Sequence, residues 1–172
     1  QRTVQTLDMK NIKQVAEILG KASRIVFAGT GGSMIVARDA HHKFLKIGIH
    51  VCAVEDKDIQ LMEASLLTPG DVLFAVSHSG NNLHVLRAAE VGKSCGATVV
   101  GLTSEETRLS KIADYTITTI SEETIFRSES ASTRLAQLAV MDSLIAIVAF
   151  QDYDKSFQAI YKTRASTSDN KG

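Results

Sequence analysis

Two short polar segments carry the residues whose types and spacing could perform chemistry. GTGGS, at residues 29–33, places glycines before a serine, and SHSGNN, at residues 77–82, places a serine on either side of a histidine. Glycine lets the backbone approach a ligand closely because it carries no Cβ. Hydroxyls and free N–H groups at the start of a helix can hold a phosphate without a positively charged side chain. The two segments together predict a phosphate-binding site.

Other interpretations of these segments lack a required residue. A dinucleotide fingerprint has a third glycine where Met34 stands, although Glu55 and Asp56 lie where a ribose-binding acid belongs. A nucleophile elbow reads G-x-S-x-G, whereas residues 76–80 read VSHSG and lack the first glycine. A P-loop needs Gly-Lys-[ST], which does not occur in the sequence. A plain capped turn needs only one Ser or Asn, so the surplus of polar groups favours a ligand.

Alternating apolar and amphipathic segments predict the elements that position these residues. Strands are predicted for five apolar runs, at residues 25–29, 49–54, 71–76, 98–103 and 115–120. Helices are predicted for the amphipathic segments 8–20, 33–48, 81–96, 104–113, 132–150 and 151–162. Four of these helices are predicted to begin at a cap-type residue: Asp8, Ser33, Asn81 and Ser104. Three are expected to end at a glycine: Gly20, Gly48 and Gly96.

This order predicts an α/β protein: a three-layer αβα sandwich with a five-stranded parallel sheet in the flavodoxin-like order 2-1-3-4-5. The first four apolar runs are nearly continuous, as in parallel strands covered on both faces. In that order the first and third strands are neighbours, and the chain leaves them in opposite directions. GTGGS and SHSGNN follow these two strands, so both are expected at the crevice where such sheets bind ligands.

Composition excludes several classes of function. The chain has 172 residues, of which 44% are hydrophobic, and Lys plus Arg equals Asp plus Glu at 19 each. A zero net charge provides no global field for holding nucleic acid. Cys52 and Cys95 lack metal-site or redox spacing, so no metal and no cofactor are expected. No stretch is expected to reach the about 18 apolar residues of a membrane span, and a cytoplasmic location is predicted.

Several blocks of the sequence resemble one known family. G-x-G-x-S after the first strand and S-x-S-G after the third resemble the SIS (sugar isomerase) domain over roughly residues 8–150. The resemblance is closest to the C-terminal effector domain of RpiR/MurR-family transcriptional regulators. It rests on three blocks, GTGGSMIVARDAHHKFLKIG, DKDIQLMEASLLTPGDVLFAVSHSG and RSESASTRLAQLAVMDSLIAIV.

The resemblance implies a phosphorylated sugar as effector and a set of residues that would bind it. It assigns the phosphate to three serine hydroxyls and two glycine backbones: Ser33, Ser77, Ser79, Gly31 and Gly80. His78 is the histidine best placed to touch a sugar hydroxyl. Where the family's S-x-S-G-x-T motif has threonine, this chain has Asn82, which can cap a helix and donate from its amide. DNA would be contacted only through an N-terminal helix-turn-helix, which is expected to precede this chain.

Such a domain can either sense a sugar phosphate or catalyse its isomerisation, and catalysis requires a pair of residues that transfer protons. Glu129 is the best base and a candidate ligand contact, because it lies between the last strand and the long helix. No histidine follows His84, so a non-catalytic sensor is predicted, with a phosphosugar isomerase using Glu129 as the alternative. Arg134, at the start of the same helix, could reach the ligand, a neighbouring subunit, or the carboxylates of Asp142 and Glu129.

The long helix at residues 132–150 is apolar nearly all round, which indicates burial on several sides. A homodimer or higher homo-oligomer is therefore expected, held by this helix and by the first one. Residues 1–164 are predicted to form a single domain, and residues 165–172 a frayed tail.

Overall fold

The computed structural model describes residues 8–119 and 130–168. Its centre is a five-stranded, wholly parallel sheet in the order β2-β1-β3-β4-β5, which confirms the predicted fold. The strands are β1 (Ile25–Ala28), β2 (Val51–Cys52), β3 (Val72–Val76), β4 (Thr98–Thr103) and β5 (Tyr115–Thr118). β2 is shorter than the apolar run that predicted it, since at this edge of the sheet only Val51 and Cys52 pair with β1.

The helices lie close to their predicted positions, with one that the sequence analysis missed. They are α1 (Met9–Lys21), α2 (Gly32–Lys46), α3 (Lys57–Ser65), α4 (Leu83–Ser94), α5 (Arg108–Ile112), α6 (Ser130–Gln151) and α7 (Tyr153–Ser168). α3 was missed because only Gln60 and Ala64 are buried on it, so its apolar periodicity is weak. Gly20 does not end α1, which continues to Lys21. α7 continues four residues beyond the boundary expected at residue 164.

Helices cover both faces of the sheet and bury two cores. On one face α1, α2 and α6 pack against the sheet around Phe27, whose ring centroid lies 5.3 Å from that of Phe74 and 6.3 Å from that of Phe44. On the other face α3, α4 and α5 pack against Val26, Leu73, Ala75 and Val99. Since both faces of β1 and β3 are buried, these strands are apolar throughout.

α6 is the principal helix of the first face. Ala131–Gln151 is long and apolar enough to cross a membrane by length and composition, so the expectation that no stretch approaches that limit was wrong. A single such helix is weak support for a span, since core helices of soluble proteins share these properties. Here Val140, Met141, Leu144 and Val148 pack into the core, where α1 and α2 contact α6.

The connections after β1 and β3 diverge, as the strand order requires. α2, which follows β1, packs on the face that carries α1 and α6, whereas α4, which follows β3, packs on the opposite face. Residues 29–33, called loop 1, and residues 77–82, called loop 2, therefore meet at the carboxyl edge of adjacent strands.

Candidate functional site

A cleft of about 250 Å³ lies between loop 1, loop 2 and the first turns of α6. Its lining residues are Thr30, Gly32, Ser33, Ser77, His78, Ser79, Asn82, Thr133, Arg134 and Gln137. Five of the predicted site residues thus come together: Ser33, Ser77, His78, Ser79 and Asn82. Gly31 and Gly80 belong to the same loops but are not among the lining residues, and Glu129 lies outside the described residues.

Loop 1 exposes the start of α2 to the cleft. Gly31 precedes the helix with φ 54° and ψ −127°, a conformation in which only glycine is unstrained. α2 consequently begins at Gly32, and Ser33, the predicted cap, lies in its first turn instead. No side chain caps the helix. The positive end of the helix dipole and the hydroxyl of Ser33 are therefore both available to an anion.

Loop 1 is held from behind by one buried side chain that the sequence analysis did not identify. The amide of Gln60, on α3, accepts from the N–H of Gly29 and donates to its carbonyl oxygen, each at 3.1 Å. The same amide donates to the carbonyl oxygen of Val54 at 2.9 Å. Gln60 is fully buried, so these bonds fix the exit of β1 relative to the exit of β2.

Loop 2 is tightly packed by the segment after β4. Gly80 has φ 58°, and a Cβ there would lie 2.2 Å from Thr107 Oγ1 and 2.5 Å from Thr103 Oγ1. Its N–H donates to the hydroxyl and to the carbonyl oxygen of Ser77, each at 3.2 Å. Gly80 thus shapes the loop and orients the Ser77 hydroxyl, which is nearly buried at the base of the cleft.

His78 is oriented by a serine to which the sequence analysis gave another role. Ser104 was predicted to cap α5, but its hydroxyl lies 3.1 Å from His78 Nδ1. Thr107 caps α5 instead, by accepting from the N–H of Ser110 at 3.2 Å. The hydroxyls of Thr103 and Thr107 are also hydrogen-bonded, at 3.2 Å. A hydrogen-bonded cluster at the end of β4 and the start of α5 therefore supports loop 2.

Asn82 joins the two loops. Its side-chain oxygen accepts from the N–H groups of His84 and Val85, at 3.1 and 3.2 Å, and so caps α4. Its amide nitrogen donates to the hydroxyl of Thr30 in loop 1, also at 3.1 Å. One side chain therefore fixes the start of α4 and sets the distance between the loops.

α6 contributes a positive charge, Arg134, which the sequence analysis named as able to reach the ligand and which lines the cleft. Gly32 lies against the Arg134 guanidinium: a Cβ at Gly32 would be 3.0 Å from Arg134 Nη2. Among the described residues no carboxylate forms an ion pair with Arg134, and Asp142, one of its expected partners, pairs with Lys43. A guanidinium beside the positive end of α2 is unfavourable until an anion binds between or beside them.

Two further α6 residues that line the cleft were not predicted from the sequence. Thr133 and Gln137 are only 3% and 2% exposed. Thr133 Oγ1, Gln137 Nε2 and Arg134 Nε are buried without a hydrogen-bond partner in the described part of the chain. The signal that could have identified them is the spacing i, i+1, i+4 of polar residues at the start of an otherwise apolar helix.

His84 lies behind the cleft rather than in its lining. It occupies the first turn of α4, and its Nε2 is buried without a hydrogen-bond partner in the described residues. Burial lowers the pKa of His84, and the charge of Lys57 lowers it further, whereas Asp58 and Asp56 oppose both effects. A neutral imidazole is thereby favoured between α3 and α4.

Comparisons with known proteins support both the fold and a regulatory relationship. A sequence profile of the SIS domain matches residues 18–147. An uncharacterised HTH-type transcriptional regulator of Caldanaerobacter subterraneus subsp. tengcongensis is 37% identical over 153 residues, which cover 88% of this chain and 54% of the relative. The structure of the Vibrio vulnificus NanR protein complexed with ManNAc-6P is 26% identical, with a TM-score of 0.89 over 97% of this chain and 63% of that chain. The chain thus spans less than two thirds of either protein.

More distant structures share the fold alone. The sugar isomerase domain of an RpiR transcription factor from Sphaerobacter thermophilus is 19% identical, with a TM-score of 0.86 over 95% of this chain and 90% of that chain. A phosphoheptose isomerase from Francisella tularensis also has the fold, at 17% identity and a TM-score of 0.72 over 86% of this chain and 88% of that chain. The fold is therefore common to regulators and enzymes.

Proposed function

Because this chain belongs to the SIS domain family, we propose that it is the sugar-phosphate-sensing domain of an RpiR-type transcriptional regulator and does not catalyse a reaction. Its 37% identity to an HTH-type regulator supports the regulatory role. The ManNAc-6P bound to the NanR relative supports a phosphorylated sugar as effector. DNA binding would belong to another part of the whole protein, which would act in the cytoplasm.

The observation that carries the proposal is the position of Arg134 against the first turn of α2. The guanidinium and the helix dipole both favour an anion, and a phosphate carries about −1.5 to −2 charges at neutral pH. The hydroxyls of Ser33, Ser77 and Ser79 line the same cleft and can donate to the remaining phosphate oxygens. Asn82 keeps the loops at the separation that lets these groups converge.

Titration calorimetry with a panel of hexose 6-phosphates and inorganic phosphate tests the proposal. Arg134→Gln should weaken binding of the best ligand by about 10- to 100-fold, since a hydrogen bond to a charged group contributes about 1.5–3 kcal/mol. Arg87→Gln is the matched control, because Arg87 is exposed on α4 outside the cleft. Equal affinities for both variants, or no binding by the wild type, would contradict the proposal.

The alternative function is a phosphosugar isomerase that uses Glu129 as general base. The shared fold of the Francisella isomerase favours it. No carboxylate occurs among the described residues that line the cleft, so the general base would have to be Glu129 itself. Turnover of an aldose phosphate into a ketose phosphate, abolished by Glu129→Gln, would establish the enzyme and overturn the sensor.

We also propose that the domain forms a homodimer or higher homo-oligomer. α1 buries its apolar face against α6 of its own chain, so it is a poor candidate for the interface. An exposed aromatic row supports α7 and the end of α6 instead, and its members are Phe150, Tyr153, Phe157 and Tyr161. Light scattering at micromolar concentration should show a dimer for the wild type and a smaller species for Tyr153→Ser. A monomeric wild type would exclude the assembly.

A further inference from the structure

We infer that Thr133 and Gln137 form an uncharged subsite that binds a hydroxyl or carbonyl group of the ligand, apart from its phosphate. This inference rests on the proposed function, because it assigns a second part of the same ligand to the same cleft. Both side chains line the cleft, and they lie four residues apart on one face of α6.

Burial without a partner is the first observation. Both residues are more than nine-tenths buried, and Thr133 Oγ1 and Gln137 Nε2 have no hydrogen-bond partner in residues 8–119 and 130–168. A buried polar group without a partner costs stability, whereas an apolar group of the same shape would not. The fold therefore gains nothing from these two polar atoms, but a ligand that pairs with them would gain affinity.

The contrast along α6 is the second observation. One turn further on, Val140, Met141 and Leu144 are buried on the same helix and belong to the apolar core. The polar pair thus occurs only where the buried side of α6 reaches the cleft. Local departures from an otherwise consistent apolar pattern are expected at functional sites.

The chemistry of the two side chains indicates which group they would bind. A carboxamide carries both donors and an acceptor, and a hydroxyl does the same, while neither carries a charge. Sugar hydroxyls and amide carbonyls complement such groups. Arg134, next to Thr133, and the start of α2 provide the charged end of the cleft. The subsite would discriminate strongly against ligands without the matching polar group, since its own atoms would then remain unpaired.

The test compares near-isosteric apolar variants, Thr133→Val and Gln137→Met, with inorganic phosphate, glucose 6-phosphate and N-acetylmannosamine 6-phosphate as probes. Each variant should weaken the tighter sugar phosphate at least about tenfold and leave inorganic phosphate within about twofold. The melting temperature without ligand should stay equal or rise. Thr133→Ser keeps the hydroxyl and should retain most of the affinity, so loss of binding through misfolding is distinguishable.

Thr119→Val is the matched control. Thr119 is also buried, at 1% exposure, and its hydroxyl also lacks a partner in the described residues, but it does not line the cleft. Its replacement should leave the affinity for every probe unchanged. A loss as large as that of Thr133→Val would overturn the inference, because it would show a general effect of removing buried hydroxyls.

Other outcomes separate the subsite from the proposed function. Wild-type affinity in both cleft variants would overturn the subsite and leave the phosphate site at Arg134 intact. An equal loss for inorganic phosphate and sugar phosphates would also overturn it, because the two residues would then only shape the anion site. Failure of the wild type to bind any probe would overturn the proposed function and the subsite together.

Discussion

The two loops of the cleft have similar compositions, but the backbone of loop 1 is open to solvent at Gly31, whereas loop 2 is tightly packed at Gly80. A Cβ at Gly31, in loop 1, would meet no atom within 4 Å, whereas a Cβ at Gly80, in loop 2, would collide with two threonines. Loop 1 is held from behind mainly by Gln60. Loop 2 is held from outside by hydrogen bonds to Ser104 and Leu109, and within the loop by the bond from Gly80 to Ser77.

This difference shows two uses of glycine at one site. Gly31 gives the backbone a conformation that leaves the start of α2 open, so a ligand can approach it. Gly80 instead leaves room for the side chains of Thr103 and Thr107, and so fixes the positions of the loop 2 serines. Loop 1 is therefore shaped so that a ligand can approach it, loop 2 is held rigidly, and Asn82 joins the two loops.

The largest expected effect distinguishes these two glycines. Gly80→Ala should lower the free energy of unfolding by about 4 kcal/mol, since left-handed strain adds to a steric collision. Gly31→Ala should lower it by about 2 kcal/mol, because only strain contributes there. Urea unfolding of both variants measures the difference. Equal values would mean that the threonines around Gly80 move aside easily.

A smaller effect is expected at the support of loop 1. Gln60→Leu would leave the buried N–H of Gly29 without its partner, which should lower the free energy of unfolding by about 2 kcal/mol. The same variant should weaken phosphate binding, because the start of α2 would no longer be fixed.

Gln14→Leu is the control for that substitution. Gln14 is an exposed glutamine of α1 whose amide donates to the Tyr115 hydroxyl at 3.3 Å, and it neither belongs to loop 1 nor lines the cleft. Its replacement should change stability by less than about 0.5 kcal/mol. If both variants were equally stable, Gln60 would not be the main support of loop 1.

The smallest expected effect is a pH dependence of the free energy of unfolding. It arises from His84, whose imidazole lies between α3 and α4. The folded-state pKa of His84 is lowered, mainly by burial, from the about 6.5 expected in the unfolded chain. Below that pH the unfolded chain binds the extra proton first, so stability should fall as the pH drops from about 6.5. His84→Gln should make the free energy of unfolding less dependent on pH below about 6.5.

Lys57→Gln sharpens this measurement, because the charge of Lys57 contributes to the lowered pKa of His84. It should reduce the pH dependence by less than His84→Gln does, since burial is the larger cause. An unchanged slope in His84→Gln would show that other groups determine the acid response.

Much of the fold was predictable because parallel strands covered on both faces are apolar throughout. β1, β3 and β4 were recognised in this way, and the alternation of strands and helices predicted a parallel, doubly wound sheet, for which the flavodoxin-like order 2-1-3-4-5 was expected. α3 was missed because a surface helix with two buried residues has almost no periodicity. Ser104 was misassigned because cap-type residues also serve tertiary hydrogen bonds, here with His78.

The sequence alone determined which two loops would meet, since the positions of strands and glycine-rich turns are encoded in local patterns. Ser33, Ser77, His78, Ser79 and Asn82 were therefore identifiable as residues of one cleft. The sequence also pointed to Arg134, but only the tertiary structure brought Thr133 and Gln137 into the cleft, about 50 to 100 residues further along the chain from the two loops. The polar spacing at the start of α6 marks these residues as unusual, but their distance from the two loops depends on how α6 packs across the sheet onto α2, and local spacing does not encode that distance.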